Sequence, residues 1–526
     1  MFDPILVHEW LSRAASRHPR KHALICGETR WTYEAIDRHS SALAHALADM
    51  GVSRHDRVAV LLDNSVESVV ALYGILKAGA VFSILAATLK GAKLRYILDN
   101  SDASVLISHT NKSKVVIDAF SGYGKPCKVV WVGPSERIPA QLGTVSAAWE
   151  SLFSGGFSPE TNSAGKSSES ALPRIIDQDL AALIYTSGST GEPKGVMSTH
   201  LNMVCAARSI SQYLENTEDD IILDVLPLSF DYGLYQVIMA FMFGGAVVLE
   251  DSFVYLHKIL KRIEEERVTG FPIVPTIVAM LLKMEDLGKY DFRSIRYLSN
   301  TGAALPVEHI KAIRRIFPQA QLYSMFGLTE CKRVGYLPPS ELDRRPESVG
   351  KAMPNCETFV LDEDGREAPP GEVGELVIRG TNVMQGYWKD PELTARTYRP
   401  GRYPSERVLY SGDYFRKDEE GYLYFLGRKD DMIKSRGERI SAKELENLLH
   451  SMDGVGEAAV IGVPDEILGQ AIKVFVVPKA GAQISEREVA KYCTENAEAF
   501  MVPKYVEIVD GLPRTHHGKI DKKVLV

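Results

Sequence analysis

Between residues 57 and 325 short apolar runs alternate with stretches whose apolar residues recur every three or four positions. The runs at 57–62, 80–85, 181–185, 221–226, 246–250, 270–274, 295–300 and 321–325 read as strands, and most of the intervals between them read as helices. In the first interval Ser65 stands as a cap before Val66, Val69, Val70, Tyr73 and Leu76, which share one helical stripe. Strands separated by helices make βαβ crossovers and parallel sheets, which collect their ligand-binding loops beyond the carboxyl ends of the strands. A chain of 526 residues is too long for one core. The expected fold class is therefore α/β, with a large N-terminal domain at 1–428. Two doubly wound sheets fill it, a first lobe at about 1–170 and a second at 171–345. Residues 346–428 switch to short alternating strands with a turn at 418–421 and predict a small β-barrel subdomain. Residues 429–526 hold two capping boxes, Ser441 with Glu444 and Ser485 with Glu488, and strands at 458–463 and 473–477. They predict a small, mobile α+β C-terminal domain. The Ser, Gly, Glu and Pro of 151–170 predict an exposed linker or loop, with room for disorder.

Composition narrows the function. The net charge of −7 offers no electrostatic footprint for nucleic acid. No apolar run approaches the ~20 residues of a membrane span, and the N-terminus has no basic start leading into an apolar stretch. The six cysteines are scattered without a CxxC pair, which argues against disulfides and structural zinc and suits a reducing, cytoplasmic setting.

Candidate chemistry sits at strand ends. The stretch YTSGSTGEPKG at 185–195 follows an apolar run and places Thr186, Ser187, Gly188, Ser189, Thr190, Gly191 and Lys194 in one loop. Backbone N–H groups, hydroxyls and an ammonium can cradle a phosphate chain there, although the spacing is not that of the GxxxxGK[ST] loop. Thr329 and Glu330 end YSMFGLTE, where a carboxylate suits Mg²⁺ and a hydroxyl a phosphate oxygen, or where the pair caps a helix. Asp413 follows a glycine in YSGDYF, a place for ribose hydroxyls or for a turn-stabilising aspartate. Lys519 follows a glycine in the tail PRTHHGKID, beside His516 and His517, which lack metal-ligand spacing and read as surface residues.

Taken in order, YTSGSTGEPKG, MFGLTE, GELVIRG with GYW, YSGD, GRKDDMIKSRGERIS and PRTHHGKID make the chain resemble the AMP-forming adenylating enzymes over about residues 20–525. That family comprises acyl- and aryl-CoA synthetases, nonribosomal peptide adenylation domains and luciferases. The resemblance implies a two-step ligase: an acid attacks ATP to give acyl-AMP and pyrophosphate, then a thiol takes the acyl group. It implies ATP and Mg²⁺, with CoA or a carrier-protein phosphopantetheine as acceptor. Thr186 to Gly191 and Lys194 would clasp the outer phosphates, Thr329 the α-phosphate, and Glu330 the metal. Phe326 and Gly327 would pack on adenine beside Gly302, Ala303 and Ala304, with Asp413 and Arg428 on the ribose. Lys519 would bridge the acid and the α-phosphate, Asp430 would be the hinge of a domain rotation, and Gly437 would border the thiol tunnel.

The acyl pocket is expected to include Asp231, Tyr232, Tyr235, Thr301, Met325 and Arg333. Asp231 matches an aspartate that pairs with the α-ammonium in amino-acid-activating relatives, but FDYGL also resembles the HDMGL stretch of fatty-acyl relatives, where no such partner exists. Lys332 or Arg333 either meets a second polar or acidic group on the substrate or forms a surface pair on the next strand. The partners are a small-molecule carboxylic acid, whether fatty, aryl, amino or dicarboxylic, and, in the runner-up reading, a separate acyl or peptidyl carrier protein. No carrier domain is expected after Lys519, and neither nucleic acid nor a membrane span is expected. A luciferase-like oxygenase and a non-catalytic nucleotide-binding relative share the scaffold.

Overall fold

The structure is a computed structural model that describes residues 4–153, 156–160, 171–187, 192–428, 433–435, 438–465, 469–498, 501–514 and 520–525. The βαβ expectation is met at its first unit. Ser65 Oγ accepts from the N–H of Ser68 and starts the helix Val66–Lys77, and the flanking strands Arg57–Leu61 and Val81–Ile84 pair in parallel.

The two large sheets do not divide the chain at residue 170. The first has seven strands in the order Ser146–Ala148, Lys128–Val132, Ala103–His109, Arg57–Leu61, Val81–Ile84, Leu180–Ser187 and Pro193–Thr199. Its last two strands come from beyond the expected boundary, with Ala182 registered on Phe82. The second has nine strands. A parallel core runs from Gln321–Phe326 through Tyr297–Asn300, Gly270–Ile273, Ile221–Asp224 and Ala246–Leu249 to His22–Cys26. Strand His22–Cys26 thus belongs to the second sheet, with Leu24 registered on Val247. Parallel strands buried on both faces pair by apolar continuity, and sequence distance does not limit that pairing. Helices Val66–Lys77 and Asp231–Phe243 meet where the ring of Tyr73 stacks on Phe241 at 5.3 Å, so the two sheets share one core.

Residues 356–428 form a five-stranded antiparallel sheet in the order Cys356–Leu361, Val373–Gly380, Arg407–Lys417 and Tyr398–Pro400, with Leu423–Arg428 also on Arg407–Lys417. Among the described residues nothing closes it, so it is an open sheet rather than the expected barrel. The long strand Arg407–Lys417 is bulged near Gly412 and carries two partners along one edge. The turn at 418–421 forms as expected, with Gly421 N–H donating to Asp418 O.

The C-terminal residues have their own sheet and core. Helix Ala442–His450 starts at Ser441, whose Oγ accepts from Glu444 N–H, and helix Glu486–Asn496 starts at the reciprocal Ser485–Glu488 capping box. Leu445, Leu449, Val460, Val474 and Val489 pack together there. The expected exposed linker does not start at 151. Phe153 is buried, and Phe157 lies 4.9 Å from the ring of Trp31 and 5.0 Å from that of His39, so three aromatics outweigh the polar composition around them.

Candidate active site

The phosphate-loop motif folds as a β-hairpin. Thr186 on Leu180–Ser187 faces Lys194 on the return strand Pro193–Thr199, and Tyr185 faces Gly195. The return strand was not anticipated from the sequence. Gly188, Ser189, Thr190 and Gly191 at the tip lie outside the described residues, as does the side chain of Ser187.

A short strap, residues 384–388, ties this hairpin to Glu330. Met197 N–H donates to Gly386 O, Gln385 N–H to Met197 O, and Trp388 N–H to Gly195 O at 2.7 Å. From the same strap Met384 N–H donates to Glu330 O, and Tyr387 Oη donates to Glu330 Oε1 at 2.7 Å. Burial and the charge of Glu330 push the Tyr387 phenol far above its ordinary pKa, so it remains a donor. Tyr387 belongs to the GYW motif, to which the sequence assigned no role. It lies 57 residues from Glu330, and no local pattern links the two.

Thr329 and Glu330 sit in a turn after Gln321–Phe326 and cap no helix: the chain reverses into the antiparallel strand Gly335–Leu337. Gly327 is needed for this reversal, because a Cβ there would lie 2.3 Å from Lys332 O. Phe326 is half-buried, 5.0 Å from Phe415 and 5.9 Å from Phe425. Phe415 follows Asp413 by two residues, so the aromatic contact brings Asp413 to the same end of the second sheet. Asp413 is not in a turn. It lies in Arg407–Lys417 just after Gly412 (φ +71°), at the bulge, which re-aims the carboxylate. It is 2% exposed, registers with Arg428 on the neighbouring strand, and has Arg428 Nε 3.4 Å from Oδ1. Gly302, with φ +85°, turns the chain after Tyr297–Asn300, and Asn300 Nδ2 donates to Ala303 O, ordering the 302–304 backbone.

The expected acyl-pocket residues also converge. Asp231 starts the helix Asp231–Phe243, and its partner is within the chain: Lys332 Nζ lies 3.5 Å from Asp231 Oδ2 and donates to Asp231 O at 2.6 Å. Lys332 and Arg333 are no surface pair, since each is 2% exposed. Lys332 Nζ stands 4.3 Å from the Tyr235 ring centroid, and burial pulls its ammonium down to about 7. The Arg333 guanidinium lies 5.4 Å from the Tyr232 ring centroid and donates through Nη1 to Thr301 Oγ1. Tyr232 Oη in turn donates to Ser299 O at 2.7 Å. Met325 accepts at Sδ from Tyr213 Oη, another residue the sequence reading did not include. Asp430, Gly437 and Lys519 lie outside the described residues, as do His516 and His517. No helix among the described residues is long and apolar enough to cross a membrane.

Two α/β sheets with a shared core, a hairpin strapped to an acidic turn and a C-terminal unit with its own sheet are the architecture of an AMP-forming acid–thiol ligase, which the family matches and relatives show this chain to be. Residues 11–388 match the AMP-binding enzyme family and residues 444–519 match the AMP-binding enzyme C-terminal domain, and the chain belongs to this family. It is similar to the indoleacetate–CoA ligase of Aromatoleum aromaticum, 32% identical over 519 residues that cover 98% of this chain and 96% of the relative. It is also similar to a long-chain-fatty-acid–CoA ligase of Bacillus subtilis, 30% identical over 534 residues, 98% and 93%. Among solved structures, the anthranilate CoA ligase AuaEII in complex with anthranoyl-AMP superposes with a TM-score of 0.86 at 27% identity, covering 98% of this chain and 96% of that one.

Proposed function

We propose that this enzyme activates a small carboxylic acid with ATP as an acyl-AMP, releases pyrophosphate, and transfers the acyl group to the thiol of CoA. The observation that carries the site assignment is the strap at 384–388, which links the hairpin of Thr186 and Lys194 to Glu330 through backbone and Tyr387 hydrogen bonds. In this reading the hairpin holds the β- and γ-phosphates and Thr329 donates to the α-phosphate. The adenosine lies between Phe326 and residues 302–304, its ribose hydroxyls on Asp413 and Arg428. Glu330 would hold Mg²⁺: among the described residues its Oε2 has no hydrogen bond and no cation pairs with it, which fits a hard metal. When bound, the ion would neutralise phosphate charge during displacement.

Lys519 is assigned the bridge between the acid and the α-phosphate. Its ammonium favours the crowded, more negative phosphorus of the transition state over the ground state. The same lysine would obstruct a thiol tunnel, so we assign residues 429–526 a rotation about Asp430 between the two steps, with Gly437 beside the incoming thiol. CoA as acceptor is supported by the relatives, which are CoA ligases by name. Loading of an amino acid onto a carrier protein is disfavoured by Lys332, which already occupies Asp231.

The test separates the half-reactions. Exchange of labelled pyrophosphate into ATP should depend on a carboxylic acid, and Lys519→Ala should lower it by about a hundredfold or more while sparing CoA thioester formation from supplied acyl-AMP. Equal loss of both halves would remove Lys519 from its role, and no exchange with any acid would end the ligase assignment.

A further inference from the structure

Among the described residues Arg333 is a cation without a counterion. It is 2% exposed, its Nη1 donates to the neutral Thr301 hydroxyl, and among the described residues its Nε has no hydrogen-bond partner. Among the described residues no carboxylate lies within ion-pairing distance of it. The nearby acid Asp231 is taken by Lys332, and buried Asp224 accepts through Oδ1 from Leu226 N–H. Burying a guanidinium without a carboxylate costs stability that the surrounding tyrosine faces offset only in part. The group does not stand in the hydrophobic interior of a sheet. Thr301 follows Tyr297–Asn300, Met325 is near the end of Gln321–Phe326, and Tyr232 lies in the first turn of the helix after Ile221–Asp224, all at the carboxyl edge where parallel sheets receive ligands. Tyr232, held through its hydroxyl by Ser299 O, and Tyr235 stand at this end, each 2% exposed.

Resting on the ligase reading above, we propose that Arg333 is the recognition point for a second carboxylate on the substrate, remote from the one that is adenylated. The enzyme's substrates are then compact dicarboxylic acids rather than alkanoates. The distal carboxylate would accept from the guanidinium and supply the charge the pocket lacks. An unsubstituted chain of equal length would leave the guanidinium desolvated and unpaired, which is the strongest form of rejection a small pocket can exercise.

The experiment is pyrophosphate release measured over length-matched pairs, butyrate with succinate, pentanoate with glutarate and hexanoate with adipate, together with benzoate and phthalate. For at least one pair the wild-type kcat/KM should favour the diacid by a hundredfold or more. Arg333→Met should bring that ratio to within threefold of one, mainly by raising KM for the diacid, and Arg333→Lys should restore part of it. Preference of the wild-type enzyme for the monoacid in every pair would overturn the proposal without any variant needing to fold. So would an equal loss on both members of a pair in Arg333→Met, which would place the guanidinium on the reacting carboxyl or in a purely structural role. Release with monoacids alone defeats this inference and leaves the ligase reading standing, whereas release with no acid in the panel or in a broader set defeats both.

Discussion

Replacing Tyr387 with phenylalanine removes one oxygen and tests how Glu330 is held. The Tyr387 Oη to Glu330 Oε1 distance is 2.7 Å, Tyr387 is 8% exposed, and the acceptor carries charge. A charge-assisted hydrogen bond of this kind contributes about 1.5–3 kcal/mol, roughly one to two decades in an equilibrium constant at 1.36 kcal/mol per decade. The bond fixes Oε1 and leaves Oε2 toward the proposed metal, so its loss should act on metal binding before it acts on stability. Outer-shell partners of metal ligands commonly change affinity by about 10- to 100-fold, and the Mg²⁺ concentration that half-saturates pyrophosphate exchange should rise by about tenfold in Tyr387→Phe. The ring should stay in place, since it packs edge-on against Tyr398 at 5.8 Å and the backbone N–H of Tyr387 is held by Thr394 Oγ1. Melting temperature should therefore change little. An unaltered Mg²⁺ dependence in a normally folded variant would refute the reasoning and leave Glu330 positioned by its backbone alone.

Other consequences follow from the same structure. His200 is 1% exposed, its Nδ1 accepts from Val7 N–H, and burial pulls its pKa to about 4. The unfolded chain therefore binds the extra proton between pH 6.5 and about 4. Stability should fall as pH drops through that window, by about 3 kcal/mol for this residue at its lower end. A His200→Asn variant should show a flatter pH dependence in urea unfolding, and an identical slope would remove His200 as a cause. Gly350 has φ +86°, and a Cβ there would lie 1.7 Å from Tyr336 O. Gly350→Ala should cost about 3 kcal/mol or more, read as a lower denaturation midpoint, and an unchanged midpoint would contradict the geometry. Asp413→Asn keeps the shape but removes the charge beside Arg428. It should raise the KM for ATP by about tenfold with little change in melting temperature, and unchanged ATP dependence would take Asp413 off the ribose.

Local chemistry was legible wherever the interacting groups are close in sequence. Ser65, Ser441 and Ser485 cap the helices expected of them, and the turn at 418–421 forms where the Asp and Gly residues put it. The strands at 221, 246, 270, 297 and 321 begin within two residues of their expected starts. Misreadings occurred where the partner came from elsewhere. The sequence left Lys332 and Arg333 open between a surface pair and a substrate contact, and Asp231 and Thr301 draw them inward. Residues 151–157 look like a linker, yet Phe157 docks beside Trp31 and Phe153 packs on Phe157.

The sequence by itself determined the period of each element, its caps, and the set of small, hydroxylated and acidic residues from which a phosphate site can be built. Those properties depend on a residue and its neighbours within about one helical turn. Only the tertiary structure decided which sheet each strand joins, that Tyr387 steadies Glu330, and that Lys332 satisfies Asp231 while Arg333 is left without a carboxylate among the described residues. The protonation and pairing of a buried group depend on atoms delivered by remote segments, because in a water-poor interior each charge must find its partner among the groups the fold brings to it.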